Sequence, residues 1–185
     1  MTHLNAEEIR DRLYALSPLS GSPSLAGSES ASLPTLRFLA REIGTLSNNK
    51  PRDAASCLIE FDECLYSQDR DAVLSVVGAL VEAASTSDDP VLWAWVWGPA
   101  VDTWDLSAGK SNLVWALINN ESAHARQCGL ETLMTLLRGD DGLVNETLVR
   151  DMVAHLCNDP VAILRDVARA WSQSIAATPK SGPAA

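Results

Sequence analysis

The sequence predicts an all-helical chain, and three observations carry that prediction. Apolar residues recur at spacings of three and four in almost every hydrophobic segment, the period of one helical face. Pro51, Pro90 and Pro160 each stand at the head of such a segment, where a missing N–H costs nothing. Pro51 and Pro90 lie 39 residues apart and Pro90 and Pro160 lie 70 apart, the span of two units of about 35. A recurring unit that is helical throughout is the mark of stacked helix pairs.

The elements follow in order. Residues 5–16 form a short helix with Glu7 and Glu8 in its first turn and Ile9, Leu13 and Leu16 as its stripe. Residues 17–34 hold three prolines, two glycines and many serines, and read as a linker or loop. Residues 1–16 are therefore expected to be an N-terminal arm, joined by 17–34 to a repeat domain over 35–177, with 178–185 a disordered tail. In that domain residues 36–46 carry Leu36, Leu39, Ala40 and Ile43, and the Asn48–Pro51 run ends the helix. Residues 52–66 place Ala54, Cys57, Leu58, Phe61, Cys64 and Leu65 on one face of a single helix. Residues 69–85 are rich in valine, which weakens helix propensity, but their period is helical.

Asp88-Asp89-Pro90 opens the next helix. Bulky residues alternate from Val91 to Trp97, so a strand competes there; the cap and the helical neighbours favour a helix, broken or kinked at Gly98-Pro99. A further turn is expected over 101–106, a loop over 107–110 and a short helix over 111–118. Three amphipathic helices close the chain, over 121–138, 145–157 and 160–177. In the last, Val161, Leu164, Val167, Ala168, Trp171 and Ile175 share a face, with Asp159 as the cap and Pro160 at the first helical position. Trp171 is assigned to the seam with the preceding helix.

Asp89-Pro90-Val91 recurs as Asp159-Pro160-Val161, and Arg126 and Arg165 stand 39 residues apart at matching depths of their helices. Asp159-Pro160 followed by Arg165 and Ala168 resembles the HEAT repeat, whose first helix often opens after an Asp-Pro-like turn and carries an arginine with a small residue three places later. Arg126 and Gly129 match that pattern loosely, and residues 93–97 have no such arginine. The resemblance is best over 121–177, moderate over 52–85 and weak elsewhere. It implies an all-α, HEAT- or armadillo-like short solenoid of stacked antiparallel helix pairs with a right-handed superhelix, binding a partner along its concave face.

Composition narrows function by exclusion. Twenty-four acidic residues against 14 basic ones give a net charge of −10, which a phosphate backbone repels, so direct nucleic-acid binding is not expected. That charge also argues against a HEAT-like DNA glycosylase, which works in a basic cleft. No apolar run reaches the roughly 18–20 residues of a membrane span, and residues 1–10 do not read as a secretory signal. Cys57, Cys64, Cys128 and Cys157 include no C-x-x-C pair, and reduced thiols in a cytoplasmic protein are expected. His124, Cys128, His155 and Cys157 are conceivable zinc ligands, but they lack a compact ligand spacing, so no metal is expected. Ala108-Gly109-Lys110-Ser111 ends like a phosphate loop, yet Trp104 stands where the motif needs its first glycine. No motif calls for a cofactor.

The chain is thus expected to be a non-enzymatic scaffold or adaptor that binds a protein, a basic one by preference. Trp95 and Trp104 are the candidate aromatic anchors, Asp62 and Glu63 the acidic contacts, and Arg126 and Arg165 complete the set. Core packing is the simpler role for most of the six tryptophans. The alternative is an acidic inhibitor, an immunity-type protein or a nucleic-acid mimic that neutralises a toxin or an enzyme.

Overall fold

The computed structural model describes residues 3–17, 32–66, 68–101, 108–138 and 146–177. Among them every regular element is a helix and no strand occurs. The helices are α1 (Ala6–Leu16), α2 (Leu33–Ser47), α3 (Pro51–Ala55), α4 (Leu58–Leu65) and α5 (Arg70–Ala83), then α6 (Pro90–Val101), α7 (Ala108–Ile118), α8 (Ala123–Arg138), α9 (Glu146–Leu156) and α10 (Ala162–Ala177).

Contacts between helices follow a regular order. Helices α2, α5, α7 and α9 touch one another in succession, and so do α3, α6, α8 and α10. From α5 onward each helix also packs on the next in the chain, so the two series face each other. Close approach needs small residues at the crossings. A Cβ on Gly44 would stand 2.5 Å from the Leu80 carbonyl oxygen, and one on Gly129 would stand 2.6 Å from Ile118 Cγ2. The backbones of α2 and α5, and of α7 and α8, can meet as they do only without those methyls.

The turns are knitted by side chains. Asn48 donates to the Ala83 carbonyl at 2.8 Å and accepts from Thr86 N at 3.1 Å, while Asn120 donates to the Val81 carbonyl at 3.0 Å. The end of α5, whose last carbonyls have no helical donor, is thus satisfied from both neighbouring turns.

Several sequence expectations need correction. Ile9 and Leu13 of α1 are fully buried in the same apolar cluster as residues of α2, α4 and α5. Asn5 and Glu8 form the capping box that starts α1, at 3.0 and 2.8 Å. The linker is shorter than expected at its C-terminal side, because α2 already opens at Leu33. Residues 52–66 are two helices, since Ser56 turns its hydroxyl back onto the Asp53 carbonyl at 2.7 Å and interrupts the ladder. Gly98-Pro99 does not end α6, which runs to Val101. Pro99 falls in the last turn, so its missing N–H costs one helical hydrogen bond but little helix follows it to be displaced. Residues 108–110, expected in a loop, begin α7. Pro160 is not the first helical residue. Asp159 Oδ1 accepts from Val161 N at 2.7 Å, closing a bend, and α10 starts after it. Val167 is 41% exposed, while Leu164 and Ala168 carry the burial of that helix and Trp171 packs half-buried on the second core cluster. Residues 18–31, 102–107 and 178–185, with their expected loop, turn and tail, lie outside the described residues.

Candidate functional site

Burial of α6 decides where an accessible aromatic lies. Leu92, Trp93, Val96 and Ala100 are buried, which fixes the inward side of the helix. Trp93 is anchored there by its indole N–H, which donates to the Ser87 carbonyl at 2.8 Å. Trp97, one turn further, is carried to the rim and is 40% exposed. It stands over a groove of about 320 Å3 between α6 and α8, with Pro90, Trp93 and Ala94 on its own side and His124, Gln127, Cys128 and Glu131 opposite.

The far wall is polar above and apolar below. Gln127 donates to Glu131 at 2.8 Å, one helical turn apart, and His124 is exposed beside them. Cys128 is buried at the base. Its burial, and secondarily the Glu131 charge, push its thiol up to about 12, against the opposing hydrogen bond of Thr132. A thiol held protonated at neutral pH is not a nucleophile. The groove offers an aromatic edge at Trp97, a base at Cys128 and a hydrogen-bonding rim at Gln127 and Glu131.

The residues singled out in the sequence do not assemble into one site. Trp95 is half-buried against the first core cluster, with its ring 5.6 Å from Phe61 at 41°. Trp104 lies outside the described residues. Asp62 is exposed on α4, whereas Glu63 is half-buried and accepts from the Ser17 hydroxyl at 3.0 Å. Arg126 and Arg165 do meet, at Asp159. Arg126 is buried and grips that carboxylate from Nε at 2.6 Å and Nη2 at 3.2 Å; its Nη1 donates to the Asn120 and Glu121 carbonyls at 2.9 and 2.7 Å. Arg165 Nη1 donates to the Asp159 carbonyl at 3.0 Å. Burial would push the Asp159 carboxyl up, but the Arg126 hydrogen bond and charge and the Val161 N–H outweigh it and hold it below the usual carboxylate range.

His124 and His155 line different depressions, and His155 sits edge-on to Trp115 with ring centres 6.0 Å apart. Among the described residues no group of three or more His, Cys, Asp or Glu is placed to hold a metal ion. Nor is any helix among them long and apolar enough to cross a membrane. Sequence reasoning missed Trp97. Helix α6 is apolar on every side, so its period could not say which tryptophan faces out.

No protein-family model, curated protein or solved structure matches this chain.

Proposed function

We propose that this chain is a non-enzymatic protein-interaction module, a short right-handed α-solenoid of HEAT-like helix pairs that binds a partner protein in the groove between α6 and α8. The ordered contacts of the two helix series support the solenoid reading, as does the Arg126–Asp159 link between successive units. The observation that carries the binding site is Trp97, a large aromatic left 40% exposed over a groove with an apolar floor. Exposed tryptophan at the edge of a pocket is the typical anchor of a protein interface. An apolar or aromatic side chain of the partner fills the groove, and its neighbours bond to Gln127 and Glu131.

The test compares Trp97→Ala with Trp95→Ala in affinity capture from a native-host lysate, read by mass spectrometry alongside a thermal melt. Trp97→Ala loses the captured partner and melts like the parent. The loss corresponds to about 2 kcal/mol or more of binding, roughly thirtyfold. Trp95→Ala lowers the melting temperature instead, because its ring belongs to the core. Undiminished capture by the Trp97 variant would remove the groove from consideration.

A further inference from the structure

Arg126 and Arg165 repeat one geometry, and only one of them is complete. Each arginine donates from Nη1 to the carbonyl six residues before it: Arg126 to Asn120 at 2.9 Å, Arg165 to Asp159 at 3.0 Å. That bond fixes the guanidinium against the turn that opens its own unit. In Arg126 the remaining edge, Nε and Nη2, points across to the next unit and takes both oxygens of Asp159, 33 residues on. In Arg165 the remaining edge has no such acceptor among the described residues. The nearest carboxylate, its neighbour Asp166, stands 3.9 Å from Nε, beyond hydrogen-bond reach, and is 71% exposed.

We infer that Arg165 is an open carboxylate socket, which takes an aspartate at the helix-opening turn of a partner protein as Arg126 takes Asp159. A guanidinium edge held in place presents two parallel donors, and a carboxylate is the group that matches them. The Asp159 turn shows the form the arriving segment has: its carboxylate on the arginine, and its own Val161 N–H folded back onto that carboxylate at 2.7 Å. The socket is separate from the groove under Trp97, and the two surfaces serve different contacts.

A synthetic peptide with the sequence of residues 159–177 is the probe, because it reproduces the turn and helix that dock on Arg126. Its affinity for the full-length chain is measured by calorimetry, beside the same peptide carrying Asp159→Asn. The parent chain prefers the aspartate peptide by about tenfold. Arg165→Gln abolishes that preference, and Arg165→Lys, which keeps the charge without the fork, retains only a small part of it. Circular dichroism melts of both variants match the parent. Equal affinity for the two peptides, absence of binding, or a preference that survives Arg165→Gln would each overturn the inference. Sedimentation that shows self-association of the parent, lost in Arg165→Gln, would assign the socket to a second copy of this chain and overturn the partner assignment.

Discussion

Asp159 serves two hydrogen-bond systems at once, the bend that opens α10 and the fork of Arg126. Both side chains of the pair are almost wholly buried, so removing either strands a charge in a poor solvent. Arg126→Ala is expected to cost about 3–5 kcal/mol, read from denaturant unfolding. Asp159 also gives a pH signature. Its folded carboxyl titrates below the unfolded value of about 3.9, so its stabilisation is complete above that pH and lost as pH falls through the folded value. The stability gap between the parent and Asp159→Asn should therefore be full at neutral pH and close progressively below about pH 4. Asp89 is the contrast. It is 7% exposed and its Oδ2 has no donor among the described residues; Ser56, not an arginine, stands 33 places before it. Asp89→Asn should leave stability unchanged or raise it, since it keeps the bond to Val91 N and removes an unpaired charge. The spacing of Arg126 and Arg165 was legible in the sequence. The structural load on Arg126 was not, because it depends on a carboxylate 33 residues on that only the fold brings to it.

At the scale of the helix, packing distance sorts the glycines. Gly44 and Gly78 lie in neighbouring helices that press together, yet a Cβ on Gly44 would strike the α5 backbone while one on Gly78 would meet nothing within 4 Å. Gly44→Ala should cost about 1–3 kcal/mol by forcing α2 and α5 apart. Gly78→Ala should gain about 0.5–1 kcal/mol, the ordinary helix preference for alanine. Paired thermal melts decide this, and equal shifts for the two variants would mean that the α2–α5 crossing is looser than its geometry. Amphipathic helices with one apolar stripe, such as α1 and α10, were legible from period alone. Helix α6 was legible only through its cap, and the division of α3 from α4 rests on one serine hydroxyl that competes with the ladder.

Across the whole molecule the apolar interior divides in two. The larger cluster runs from Ile9 to Cys128, and the smaller gathers residues of α7 to α10. The two share α7 and α8: Leu113 and Leu117 face one, Val114 and Ile118 the other. Helix α10 commits only Leu164 and Ala168 to full burial, so the C-terminal end should open at lower free energy than the α2–α5 centre. Trp171→Ala, which removes a half-buried ring from the smaller cluster, should cost about 3 kcal/mol and speed amide exchange in α9 and α10 while leaving α2 and α5 protected. An even loss of protection would show a single cooperative unit. The same distribution of burial sorts the four free cysteines for a chemist. Cys57, Cys64 and Cys128 are shut inside, and burial pushes their thiols up, to about 11 for Cys64 and about 12 for Cys128. A brief maleimide pulse at neutral pH should add one label to the native chain and four after denaturation, counted by intact mass. The single native adduct falls on Cys157, whose carbonyl is held by Arg169 of α10 at 3.0 Å. The chain thus carries, without any engineering, one addressable attachment point for a dye at the end where Arg165 waits for its carboxylate.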